Sequence, residues 1–176
     1  SYNSKNTWLD WNDNTQSVPT VVGARSSFSS KGPTADGRMK PDITAPGSLI
    51  MSSVNHYNTS YNQSNPDVYA SLHTGNTYWY WACMEGTSMA SPMVTGIIAL
   101  WLQGNPSLTI PEVKAIIRQT AYTDSYTGTI GSSGSNLWGW GKINAHEGMK
   151  AIANTLPTPT ISCSNTTPCE GETTYL

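Results

Sequence analysis

Ser88 stands in GTSMASP (86–92), directly before the most hydrophobic stretch of the chain. A hydroxyl at the mouth of an apolar helix can cap that helix, or it can attack a carbonyl. Attack requires exposure, a base and a stabiliser for the oxyanion. The setting of Ser88 meets two of these needs. Gly86 and Thr87 are small enough for a substrate backbone to approach. The free N–H groups of a first helical turn, at the positive end of the helix dipole, favour developing negative charge. The base is not local. By residue type the candidates are His56, His73 and His146, and solvated histidine is the plainer reading of each.

The elements that must position Ser88 are readable in outline. Residues 88–103 carry Met89, Val94, Ile97, Ile98, Leu100, Trp101 and Leu102, apolar nearly all round, which predicts a helix enclosed on every side. Gly104 is expected to cap it, with Pro106 just beyond. A second helix is predicted at 110–121 from a capping box of Thr109 and Glu112, with Val113, Ile116, Ile117 and Thr120 on one face. A third begins at Asn144, with Glu147 in the same relation, and runs to about Asn154. SVPTVVGA (17–24), SLIMSSV (48–54) and YWYWACM (78–84) read as strand-prone. Residues 26–47 are nearly all turn chemistry, 1–20 read as a loop or hairpin, and 55–76 as a polar excursion without pattern.

Composition narrows the function classes. Charged residues make up 11% of the 176, with a formal net charge of −2 and no basic run, so the chain offers no surface for nucleic acid. The longest apolar run, Ile97–Leu102, is too short for a membrane span. Low charge with seven Trp and nine Tyr favours an extracellular setting. Cys83 reads as a buried thiol in a strand, and Cys163 and Cys169 are spaced for a small disulfide loop or two free thiols. No metal-ligand cluster is visible. The text changes near residue 155, and residues 155–176 read as a linker followed either by a β-like segment or by a disordered tail.

GTSMASP resembles the nucleophile motif of the subtilisin-like serine peptidases, the subtilases. FSSKGPTADGRMKPDITAPG (28–47) resembles the segment that precedes it, and GWGKINA (139–145) the closing turn and helix, in the same order and with similar spacing. The resemblance covers about residues 21–154. It implies an α/β fold, the C-terminal part of a parallel-sheet three-layer sandwich, with 1–154 as the C-terminal portion of a catalytic domain. It implies a secreted or cell-surface bacterial serine endopeptidase acting on peptides or proteins through an acyl-enzyme on Ser88. The Ser88 N–H would help form the oxyanion hole, with Gly86, Thr87 and Met89 around it and Pro92 in the first helical turns. No cofactor is identified. The family allows a structural calcium, to which no residue is assignable. The tail CEGETTYL (169–176) resembles the opening strand of an immunoglobulin-like module.

The departures are as informative. The family's triad runs Asp, His, Ser along the chain, and here the serine alone sits in a matching context. No histidine precedes FSSKGP, and Asp10, Asp13 and Asp42 lie in loop or turn contexts. Asn3 and Asn6 lack the Gly-Asn setting of the family's side-chain oxyanion donor. VVGA (21–24) is followed too soon by FSS, so either a turn is shortened or the family's VGA strand ends just before Ser1 and residues 1–20 are a lengthened loop. The chain alone is therefore expected to be inactive and to need the upstream half of the domain, or another copy of itself. The alternatives are a non-catalytic pseudo-peptidase and a binding module presenting Trp8 and Trp79.

Overall fold

The computed structural model describes residues 1–10 and 12–153; the linker, the tail and the Cys163–Cys169 pair lie outside them. Helices form where the periodicity places them: α1 (Thr87–Gly104), α2 (Ile110–Thr120) and α3 (Ala145–Ala153). Gly104 is the last residue of α1, and Asn105 caps it by donating its N–H to Trp101 O. In α2 both halves of the capping box are present. The Thr109 N–H donates to Glu112 Oε2 at 2.8 Å, and the Thr109 hydroxyl receives the backbone N–H of Glu112. Asn144 caps α3, accepting the Glu147 N–H at 3.1 Å on Oδ1.

The strands are shorter and more antiparallel than expected. β1 (Tyr2–Asn3) pairs in parallel with β4 (Pro46–Ser48). β2 (Thr7–Leu9) and β3 (Thr15–Ser17) form a hairpin, as one reading of residues 1–20 had it. β5 (Ile50–Ser53), β6 (Val68–Thr74) and β7 (Thr77–Met84) make an antiparallel sheet in the order β5-β7-β6. The expected strand at 48–54 is broken, because Leu49 takes φ 54° and separates β4 from β5. Val21–Ala24 is a turn rather than a strand. The parallel partner of β4 is instead Tyr2–Asn3, and residues 1–20 hold this strand and the β2–β3 hairpin. The excursion at 55–76 is not patternless, since it contains β6.

The core is the cluster of Ala45, Ala90, Trp101, Ile116, Ile117, Ile143 and Ile152, where α1, α2 and α3 meet the approach to β4. Trp101 is its centre. Its indole N–H donates to Ala145 O at 3.1 Å, and its ring lies so close to Gly148 that a Cβ there would stand 2.0 Å from Trp101 Cζ2. Only glycine allows α1 and α3 this approach. One expectation fails here. Helix α1 is not enclosed: Ala90 and Trp101 are buried, while Met93, Leu100 and Leu102 are exposed. Its main neighbours are β4 and α3, too few to surround an 18-residue helix. Between α1 and α2 an apolar groove of about 590 Å³ stays open, lined by Val94, Ile98, Leu102, Val113 and Ile117.

The segment 139–145 closes the molecule. Trp140 N–H donates to Asp42 O at 3.0 Å, Ile143 N–H to Thr44 O at 2.9 Å, and Tyr122 and Lys142 exchange backbone bonds at 3.0 Å. Lys142, whose side chain is 1% exposed, donates through Nζ to Gly23 O and Asp124 Oδ2, each at 2.6 Å. The rings of Tyr2, Trp138, Tyr126 and Tyr122 surround the ammonium with centroids 4.6–5.9 Å away. Burial pushes the Asp124 pKa upward, but the Lys142 hydrogen bond and the N–H groups of Thr127 and Tyr126 outweigh it and hold the carboxyl below its ordinary value.

Candidate active site

β7 delivers the chain to Gly86, whose N–H donates to Gly47 O at 2.7 Å and so anchors the start of α1 to β4. Gly86 is the N-cap residue and takes φ 150°, ψ 161°, a backbone conformation that L side chains rarely adopt. α1 has no side-chain cap. Ser88 is therefore the second residue of the helix, not its cap, and that use of its hydroxyl is excluded by geometry. Among the described residues its Oγ has no hydrogen-bond partner, and the side chain is exposed.

The backbone around Ser88 is open to an anion. The N–H groups of Met89 and Ala90 turn back to Gly86 O, at 3.1 and 3.3 Å, so those of Thr87 and Ser88 have no acceptor within the helix. No acidic residue lies in the first turn to offset the helix dipole. Glu85, one residue before the cap, accepts the Ser48 hydroxyl at 3.2 Å. Pro92 is the sixth residue of α1, in its second turn as expected, where it lacks the N–H that would bond the Ser88 carbonyl.

Three hollows converge here. The α1–α2 groove reaches Thr87, Ala90 and Ser91. An open hollow is bounded by Thr87, Ser88, Ser91, Pro92 and Thr95. A trough of about 280 Å³ lies between α1 and the antiparallel sheet, lined by Ser88, Met89, Met93, Ile50, Ala82 and Met84. Thr87, Ser88 and Met89 line these hollows, and Gly86 precedes them as the N-cap of α1. The part played there by Ile50, Ala82 and Met84 was missed in the sequence, although the alternation of β7 gives Ala82 and Met84 a common face.

Among the described residues no histidine lines the hollows that contain Ser88. His56 packs on Tyr57 and Trp79, with centroids at 3.8 and 4.4 Å, and His73 stacks on Tyr78 at 4.3 Å. His146 is exposed beside Glu147. Asp10 accepts the N–H groups of Asn12 and Asn14, both at 2.9 Å, inside its own turn. Asp13 lies in that turn with φ 61°. Asp42 pairs with Lys40 and, at 3.8 Å, with Lys114. Asn3 is buried in structural bonds, donating to Val21 O at 3.1 Å and accepting the Ser26 hydroxyl at 2.8 Å. Cys83 is buried in β7, and that burial pushes its pKa up against the pull of Lys5, so it is a thiol rather than a reactive thiolate. Among the described residues no group of three or more His, Cys, Asp or Glu could hold a metal ion. None of the described helices is long and apolar enough to cross a membrane.

Comparison with known proteins gives this geometry a context. The family model described as Subtilase family matches residues 3–142. Serine protease AprX of Bacillus subtilis is 38% identical over 80% of this chain and 28% of its own length. Minor extracellular protease Vpr of the same organism is 36% identical over 56% of this chain and 10% of its own. The crystal structure of fervidolysin from Fervidobacterium pennivorans, a keratinolytic enzyme related to subtilisin, overlays 65% of this chain and 15% of that one at 26% identity and a TM-score of 0.43. The chain thus spans less than a third of the length of these proteins. With the family model matched across most of its residues and AprX aligned over four-fifths of them, the chain belongs to the subtilase family and is homologous to its serine proteases.

Proposed function

We propose that this chain is the C-terminal portion of the catalytic domain of a secreted subtilisin-like serine endopeptidase, with Ser88 as its nucleophile. The observation that carries the reading is the state of Ser88. It lies at the second position of α1, freed from capping by the geometry of Gly86, with unpaired N–H groups beside it. In the proposed reaction a base from outside this chain takes the Ser88 proton as Oγ attacks the scissile carbonyl, the C–N bond breaks and the amine leaves with that proton, and water then hydrolyses the acyl-enzyme to the acid and free Ser88. The Ser88 N–H donates to the developing oxyanion, and the dipole of α1 adds to it. Gly86 and Thr87 leave room for the substrate backbone, and Met89 walls the site.

The base and the carboxylate that orients it are proposed to come from outside this chain, from the upstream half of the domain or from another copy. Two features support this. No described histidine lines the hollows that contain Ser88, and the groove and bare flank of α1 leave apolar surface that a further layer of a parallel three-layer sandwich would cover. Secretion is proposed from the composition, and the relatives agree in kind, Vpr being described as extracellular.

The test is covalent labelling of the full-length protein with a fluorophosphonate probe, followed by peptide mapping. The expected outcome is a label on Ser88 that is lost in Ser88→Ala. Equal labelling of the two proteins refutes the assignment. A full-length protein that is folded yet takes no label and cleaves no peptide is a pseudo-peptidase instead.

A further inference from the structure

The antiparallel sheet beside Ser88 carries an aromatic ladder that the chemistry at Ser88 does not require. β7 runs straight into Gly86, and its alternation puts Tyr78, Tyr80, Ala82 and Met84 on one face. Tyr78 and Tyr80 stack with centroids 6.1 Å apart and planes 9° apart. His73, the cross-strand partner of Tyr78 in β6, stacks on it at 4.3 Å and 20°. The other end of the same face, Ala82 and Met84, lines the trough that also contains Ser88. A single strip therefore leads from the Ser88 hydroxyl, through a methionine-lined hollow, to a stack of three rings. Six residues of strand separate Met84 from Tyr78, about 20 Å at a rise of ~3.4 Å per residue.

Resting on the reading of Ser88 as a peptidase nucleophile, we propose that this face is a docking track for the polypeptide being cleaved. It takes an unbranched apolar side chain in the trough and an aromatic side chain about six residues from the scissile bond on the ring stack. The occupant follows from continuity, because the strip ends at the group that attacks the chain. Its chemistry follows from the lining. Methionine side chains adapt to apolar guests of different shape. Stacked rings offer an offset or edge contact to a further ring. Tyr78 and His73 remain exposed despite their stacking, so the outer end of the ladder is accessible. None of the strip residues is Lys, Arg, Asp or Glu, so a charged segment gains no ion pair there.

The experiment uses the full-length protein and internally quenched peptides that share one sequence around the scissile bond. In separate peptides, Trp or Ser stands six residues from that bond on either side. Trp on one of the two sides is expected to raise kcat/KM about tenfold over Ser, through KM, the upper range of one aromatic contact. The Trp-to-Ser ratio is expected to fall to near one in Tyr78→Ser/Tyr80→Ser and to persist in Trp79→Ser, on the opposite face. Equal kcat/KM for Trp and Ser on both sides overturns the track, as does a preference that survives in the double variant. The comparison in the unmodified protein is decisive even if the double variant fails to fold. A protein that cleaves none of the peptides and takes no probe at Ser88 overturns the peptidase reading, and the track with it. Labelling and cleavage without the preference overturn the track alone.

Discussion

Asp124→Asn tests the staple that closes the molecule. The amide oxygen can still accept the N–H groups of Tyr126 and Thr127, which Asp124 Oδ1 binds at 3.0 and 3.1 Å, so the turn keeps its bonds. What is lost is the negative charge 2.6 Å from Lys142 Nζ, a group 1% exposed and left with Gly23 O and the surrounding rings. Removing one partner of a fully buried pair costs about 3–5 kcal/mol. The Asp124 side chain is 31% exposed, so water screens part of the interaction, and the expected loss is about 2–3 kcal/mol. At roughly 2–4 °C per kcal/mol for a chain of this size, the melting midpoint falls by about 5–10 °C. In the Asp124→Asn background, Lys142→Met removes the buried charge itself and leaves the half-buried Gly23 O without its donor, about 1 kcal/mol. The double variant is therefore expected to be more stable than Asp124→Asn alone. The assay is thermal unfolding of the intact protein, with all variants compared in one state of assembly. A shift below 2 °C for Asp124→Asn, or a double variant less stable than either single one, refutes the reasoning. The pH dependence has a definite sign. Because the folded carboxyl is held below its ordinary value of 3.8, its contribution is full above that pH and is lost as pH falls through the lower folded value. Wild type and Asp124→Asn should thus differ most above pH 3.8 and converge below it.

Gly148→Ala would drive a Cβ into the Trp101 ring and should destabilise by about 1–3 kcal/mol or more, read as a lower melting midpoint. Gly86→Ala imposes strain of order 1–3 kcal/mol at φ 150° and should slow fluorophosphonate labelling of Ser88; an unchanged labelling rate would show that the cap geometry does not set the nucleophile. A pure preparation of residues 1–176 should cleave no peptide, and robust turnover would point to His56 or His73 as a base. The same preparation should not sediment as a compact, cooperative monomer, because the flank of α1 with Met93, Leu100 and Leu102 is bare; such a monomer would show that this face needs no cover.

The helices were legible because their signals are local. The Thr109–Glu112 box and the apolar face of α2 appear within a dozen residues, and the structure has both. GTSMASP was legible as a motif, but the reason Ser88 is free, the φ of Gly86, is a backbone fact that no residue type states. The strands were less legible. Leu49 breaks a run that reads as continuous, and β6 is visible only through its pairing with β7, since VYASLHT has no clean alternation and carries a bulge between Val68 and Ala70. The apolar character of α1 is plain in the sequence, but the expected enclosure is not found among the described residues, because which elements pack on a helix is a tertiary matter. Lys142 illustrates the limit from the other side. A lysine in a Gly-rich turn reads as solvated, and its burial depends on Asp124 and on four rings supplied by segments distant in sequence.

That burial also bears on the order in which the molecule can form. The Lys142 ammonium binds the carbonyl of Gly23 across 119 positions, and the Thr44 hydroxyl binds Gly141 O across 97. Such contacts close long loops, so their ordering entropy comes due before any local reward, and they belong to the slow end of folding. During synthesis β1 and the turn at Gly23 leave the ribosome long before their lock exists. α1, with Ser88 at its head, must then wait for nearly forty more residues before the segment 139–145 arrives to fasten it. A nascent chain halted anywhere short of Lys142 would therefore carry Ser88, the proposed nucleophile, on an unfastened scaffold, which ties the final setting of Ser88 to the end of translation of this region rather than to its middle.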